Sequence, residues 1–192
     1  MNELKEKFID FKSLNHYKFE YLLENGQVIS FTISQFQFPH LIGLHKLTDL
    51  PLILMFNDPN NIVVKSKFII SKIKKEKDLT ENIIKRSIHF KEIEERYNFL
   101  SREAILSLSF TEVIVDFDKS KLTTKLNSKY IFFEPKNEGY LHLGIVDNGK
   151  HYSPESFFFE NSNYYLKNQR IVKVKQIIIY NEKKEIILQE KI

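Results

Sequence analysis

The segment from Phe36 to Leu47, Phe-Gln-Phe-Pro-His-Leu-Ile-Gly-Leu-His-Lys-Leu, holds the densest chemistry in the chain. Its two imidazoles, His40 and His45, can move protons near neutral pH, and His45 or Lys46 can hold a phosphate. Pro39 suits a first helical turn, and Leu41, Leu44 and Leu47 follow at helical spacing, so a helix is predicted to start at Pro39. On such a helix Leu44 lies about 40° from His40 and Leu41 about 100°, which places His40 within the apolar stripe. His45 falls on its flank, and Lys46 points away. Gly43 is a poor helix former unless the backbone there must approach something closely. A metal-ligating histidine pair wants one helix face at i, i+4, whereas His40 and His45 stand about 140° apart. The spacing therefore favours proton transfer or phosphate contact. The plain alternative for His40 is a core histidine hydrogen-bonded to the backbone.

The other candidates lie far along the chain: Tyr130 and His142 in apolar runs, the segment from His151 to Phe159, then Tyr164-Tyr165 and Gln169-Arg170. His, Lys, Arg, Tyr and Ser form the side-chain set of a metal-free ribonuclease. In that chemistry one group takes the ribose 2′-OH proton, a cation stabilises the phosphorane, and an acid protonates the leaving 5′ oxygen. No phosphate-binding glycine-rich loop, G-x-S-x-G elbow, H-E-x-x-H pair or dinucleotide fingerprint is present, so no cofactor is expected. The absence of cysteine excludes disulfides, thiolate catalysis and Cys-ligated zinc.

These side chains must be carried by a folded core, and 192 residues at 42% hydrophobic content suffice for one. A net charge of +4 is compatible with a polyanionic partner without requiring one. No signal peptide or membrane span is visible, so a cytoplasmic protein with no membrane partner is expected. Residues 3 to 14 read as an amphipathic helix suited to covering a sheet. Tyr17–Glu24 and Gln27–Ser34 flank Asn25-Gly26, a hairpin signal. Leu50–Phe56 extends the Pro39 helix or forms a buried turn, and residues 57–61 break the pattern.

From 62 to 108 the chain is helical and basic, with Lys65, Lys67, Lys72, Lys74, Lys75 and Lys77 around Phe68, Ile69, Ile70 and Ile73. A solvated helix face and an electrostatic rail for RNA are both consistent with this composition. Strands are predicted at 112–117, 129–134, 140–146, 156–160, 171–180 and 185–189. The class is α+β, with an N-terminal helix and hairpin, central helices, and a C-terminal curved antiparallel sheet of four to six strands.

Three blocks carry a resemblance. They are F-P-H-L-I-G-L-H-K-L at 38–47, Tyr140-Leu-His-Leu-Gly-Ile145 with its strand-embedded glycine, and Tyr152-Ser-Pro-Glu-Ser-Phe-Phe-Phe159 followed by Tyr164 and Gln169. In this order they resemble the fourth phage-associated group of the barnase, EndoU, colicin and RelE-like (BECR) nuclease fold. The resemblance implies a helix packed on a curved antiparallel sheet with RNA cleaved on the sheet's open face; the chain is expected to be a single nuclease domain over 1–192, with the basic helices at about 62–108 as an insert between the matching blocks. It implies a metal-independent endoribonuclease, a phage or prophage toxin or conflict effector, and admits a cognate inhibitor or antitoxin protein. Under it His40 is general base or acid, Lys46 or His45 a phosphate contact, Tyr152 and Ser156 polar groups near the scissile phosphate, and Arg170 a charge stabiliser. Lys65, Lys67, Lys72, Lys74, Lys75, His142, Tyr164 and Gln169 are the expected RNA contacts. The competing reading is a non-catalytic RNA- or protein-binding module using the same sheet.

Overall fold

The computed structural model describes residues 2–107, 110–149 and 151–192; Leu108, the last residue of the basic helical stretch, lies outside them. The described residues form seven α-helices, four short 3-10 turns and eight strands, an α+β chain. No helix among them is long and apolar enough to cross a membrane. They gather into two compact units, Met1–Leu14 with Ser34–Leu106, and Asn15–Ile33 with Ser107–Ile192.

The second unit begins with the hairpin. Gly26 takes φ +83°, and β1 (Lys18–Leu23) pairs antiparallel with β2 (Val28–Thr32). There follow β3 (Glu112–Val115), β4 (Tyr130–Lys136), β5 (Gly139–Asp147), β6 (Tyr152–Glu160), β7 (Ile171–Tyr180) and β8 (Ile186–Lys191). Their order is β1-β2-β6-β5-β4-β3-β7-β8, with β1 also paired to β7. Because β1 takes one edge of β7 from Val174 to Tyr180, β3 and β8 must share the other. Seven strands thus close on themselves, with β8 added outside the ring.

The expected C-terminal curved antiparallel sheet of four to six strands is corrected to a closed seven-strand barrel. Both outer edges of the N-terminal hairpin find partners: β1 pairs with β7, and β2 meets β6 in parallel at Phe31 and Tyr152. Closure removes the exposed hydrogen-bonding edges that an open sheet would leave. Strand alternation then sorts the side chains. Phe19, Tyr21, Phe31 and Phe132 fill the interior, Phe19 stacked on Phe31 at 5.1 Å and Tyr21 tilted against Phe132 at 4.4 Å. On the opposite face Ile114, Phe117, Ile131 and Phe133 form a second apolar cluster under Leu122, Leu126, Tyr140, Tyr165 and Leu166.

The strand-embedded glycine has a packing reason. Gly144 faces Ser156 across β5 and β6, and a Cβ there would stand 2.4 Å from Ser128 Oγ. That hydroxyl donates to Glu155 Oε2 at 2.8 Å, and the same carboxylate accepts the Asn127 N–H at 3.3 Å. Gly144→Ala is expected to destabilise the fold by about 1–3 kcal/mol through overpacking. Adding Ser128→Ala should recover most of that loss in urea denaturation; no recovery would refute the slot.

The first unit is helical: α1 (Glu3–Lys12), α2 (Phe38–Leu41), α3 (Pro51–Asn57), α4 (Ser66–Lys74), α5 (Glu81–Lys85), α6 (Glu94–Phe99) and the start of α7 (Arg102–Ser107). Asn2 caps α1, its Oδ1 accepting the Leu4 N–H at 3.1 Å. The apolar face of α1 is buried within this unit, Phe8 and Phe11 packing on Phe38 at 5.4 and 5.5 Å. Pro51 begins α3 as a separate helix, supplying the preset φ of a first turn.

Candidate functional site

The helix expected from Pro39 to Leu47 stops after one turn. The Ile42 N–H donates to Phe38 O at 3.0 Å and the Gly43 N–H to His40 O at 3.0 Å. Gly43 then swings to φ +88°, and a 3-10 turn over Leu44–Lys46 follows. A left-handed residue ends a helix because its backbone can no longer extend the hydrogen-bond ladder. Gly43 also lies against α6 and the turn before it: a Cβ there would sit 2.8 Å from Ile93 Cγ2 and 3.1 Å from Arg96 Cδ.

Positions read from a continuous helical wheel change accordingly. His40, expected in the apolar stripe, is exposed, while His45 is the half-buried one. The rings that a helix would hold about 140° apart come to 5.4 Å between centroids. Phe56 of α3 lies 5.1 Å from the His40 ring, and Asn57 Nδ2 donates to His45 O at 2.7 Å.

Charge accumulates around this turn. Burial pushes the His45 pKa down to about 4, with the positive potentials of His40, Arg96 and Lys46 acting in the same sense. Lys46 is also lowered, first by burial and then by Arg96, with Glu92 opposing. Glu92 is itself engaged by His89 Nδ1 at 2.7 Å. Two imidazoles, an ammonium and a guanidinium thus surround one turn, and the nearby acid is shared. Among the described residues the buried His45 Nδ1 has no hydrogen-bond partner. Such a site can attract an anion and hold one imidazole neutral at physiological pH. Arg96 was not singled out from the sequence. Its only signal was Gly43, whose missing side chain implied a close neighbour.

In the barrel unit, Tyr152 and Arg170 lie at one end, where β4 and β6 start and β3 and β5 finish. Lys129 Nζ donates to Tyr152 Oη at 3.4 Å, pairs with Asp147 at 3.4 Å, and lies over the rings of Tyr152 and Tyr130 at 5.5 and 5.8 Å. Its hydrogen bond to Tyr152 raises its pKa. Tyr130 Oη accepts from Gln27 Nε2 at 2.8 Å and lies 3.5 Å from Tyr152 Oη; burial above all raises its pKa. Arg170 is largely exposed, 3.9 Å from Asp116. Lys129 and Gln27 join Tyr152 only through strand register, so no local motif announced them.

The remaining candidates are placed otherwise. Ser156 is buried opposite Gly144. Tyr164 Oη accepts the Thr123 N–H at 2.8 Å, and Gln169 is tied to Asp118 in both directions, at 3.0 and 3.1 Å. Both clasp the cover of the outer apolar cluster. Lys65, Lys67, Lys74 and Lys75 are exposed, while Lys72 pairs with Asp78 at 2.5 Å. Among the described residues no three His, Asp or Glu side chains are grouped to hold a metal ion.

His142 is fully buried, stacked on Phe158 at 4.7 Å with Tyr165 at 5.6 Å. Burial pushes its pKa down to about 4; backbone groups of Tyr140 and Phe158 act to raise it, though neither ring nitrogen reaches full hydrogen-bond geometry. An unfolded chain takes up the proton near pH 6.5 and the folded one only near 4, so stability is complete above pH 6.5 and falls as pH drops between these values. The loss reaches up to about 3 kcal/mol. His142→Phe should make that acid limb shallower in urea denaturation at pH 7 and 4.5, leaving the part that His45 contributes; an unchanged limb would reject the assignment.

A family model, PBECR4, described as phage-Barnase-EndoU-ColicinE5/D-RelE like nuclease4, matches residues 3–192. No curated protein and no solved structure matches the chain. The match runs through the hairpin, the His40 turn, the central helices and every barrel strand. The chain therefore belongs to the PBECR4 family of phage-type Barnase, EndoU, ColicinE5/D and RelE-like nucleases.

Proposed function

We propose that the protein is a metal-independent endoribonuclease acting as a single nuclease domain, cleaving RNA by attack of a ribose 2′-OH on the adjacent phosphodiester. The observation that carries this reading is the Gly43 turn, which gathers His40, His45, Lys46 and Arg96 into one electropositive site.

Each step then has a group. His40, exposed beside the held imidazole, accepts the 2′-OH proton. His45 stays neutral because burial keeps its pKa near 4. Its unpartnered buried Nδ1 favours the tautomer with the proton on Nε2, which donates to a non-bridging phosphate oxygen. The Arg96 guanidinium stabilises the phosphorane charge. Lys46, whose ammonium is made more acidic by burial and by Arg96, protonates the 5′ oxygen as the P–O bond breaks. The products are a 2′,3′-cyclic phosphate and a 5′-hydroxyl. In the barrel unit, Lys129, Tyr152 and Arg170 are assigned to holding the RNA backbone through charge and hydroxyl donation.

The test is cleavage of defined RNA in EDTA with end-group analysis. Cyclic phosphate ends support the proposal. Salt-dependent RNA binding without turnover would instead favour the non-catalytic module.

A further inference from the structure

A cleft of about 580 Å³ opens where β1 begins and β7 ends, against the turn into β8. Strand polarity places it at the end of the barrel opposite Lys129 and Tyr130. Its lining includes His16, Lys18, Tyr180, Glu182 and Lys184.

Two of these residues hold left-handed backbone, His16 at φ +69° and Lys184 at φ +65°, a conformation unfavourable for a residue with a side chain. Both are pinned there, the His16 N–H donating to Ile33 O at 2.9 Å and the Lys184 N–H to Asn181 O at 2.9 Å. The central acid is already neutralised: Glu20 pairs with Lys18 at 2.5 Å and accepts from Tyr180 Oη at 3.1 Å. Those bonds also fix the Tyr180 ring as a wall, with the Lys18 ammonium 5.8 Å from its centre. Among the described residues, the side chains of His16, Glu182 and Lys184 make no hydrogen bond or ion pair.

What remains is two bases, one carboxylate and an aromatic wall in a cleft of small-ligand size. A bare anion would leave Glu182 facing like charge, and an apolar ligand would strand all three polar groups. We propose that this cleft binds a phosphorylated nucleoside. The phosphate lies on His16 and Lys184, the Glu182 carboxylate accepts from the ribose hydroxyls, and the base lies along Tyr180. The nucleotide is either free or the 3′-terminal residue of a strand, since the two present the same groups.

The test is calorimetric titration of the full chain with 5′-AMP, adenosine, inorganic phosphate, and a pentanucleotide 2′-O-methylated at all but its 3′-terminal residue. That oligomer keeps a terminal ribose diol and cannot be cleaved by 2′-OH attack. Saturable 5′-AMP binding below about 1 mM is expected, at least about fivefold tighter than adenosine or phosphate alone. His16→Ala, Lys184→Ala and Glu182→Gln should each weaken it about fivefold or more, with unchanged circular dichroism. A pentanucleotide that binds about tenfold more tightly than 5′-AMP, with the same variant losses, identifies a strand terminus as the source. The proposal is overturned if neither ligand saturates by about 5 mM, if the variants bind as the parent does, or if phosphate alone matches 5′-AMP.

Discussion

His40→Ala is expected to lower the rate of EDTA-resistant RNA cleavage by about 10²- to 10⁴-fold, the range typical of losing a positioned general base. Lys46→Ala should cut the rate by a similar order, because in the proposed mechanism it removes the acid that protonates the 5′ oxygen. The double variant should fall little below the worse single one, since groups that serve one transition state are not additive. His45→Ala differs in kind: a neutral donor to the phosphate contributes to binding as well as to rate, so KM should rise along with a fall in kcat. His40 is exposed and Lys46 half-buried, so near-normal unfolding curves are expected for both variants. RNA cleavage by His40→Ala at the parent rate would remove His40 from the mechanism.

Gly43→Ala is the second large effect, and it acts through the backbone. A left-handed φ of +88° costs an alanine about 1–2 kcal/mol, and its Cβ would overlap Ile93 Cγ2 at 2.8 Å. Overpacking adds about 1–3 kcal/mol, for a total of about 2–5 kcal/mol. At this chain length each kcal/mol lowers the Tm by about 2–4 °C, so a drop of about 4–20 °C is expected. The site should suffer too. If relaxation straightens the turn toward a continuous helix, the imidazoles move apart and cleavage falls at temperatures where the variant is still folded. Adding Ile93→Ala relieves the overlap and leaves the φ cost, so it should restore only part of the Tm. Full restoration, or none, would show that the two terms have been wrongly divided.

Much of the local structure was legible. Asn25-Gly26 announced the hairpin, and the run Ile171–Tyr180 was found as a strand with those bounds. The strand expected over Ser156–Glu160 is longer in the fold: β6 begins at Tyr152 and passes through Pro154, where the register shifts between Gly144 and Ile145. Pro154 sits at that irregularity, where a residue that cannot donate to the ladder is tolerated. Arg96 and Lys129 escaped notice for a different reason. Each was one cation among many, and only their neighbours distinguish them.

The sequence by itself determined the α+β class, the hairpin, most strand positions, the polar side chains available for proton transfer and phosphate contact, and the family. Those properties are written in near-neighbour patterns: period-two alternation, turn residues, helical spacing and short motifs. Tertiary structure decided barrel closure, because the partner of β1 is β7, at the far end of the chain, and no local period encodes that pairing. It also decided the meaning of the His40 segment. One left-handed glycine packed against Ile93 ends the helix, exposes His40, half-buries His45 and brings their rings to 5.4 Å. A helical wheel assumes that the backbone continues, and at Gly43 it does not.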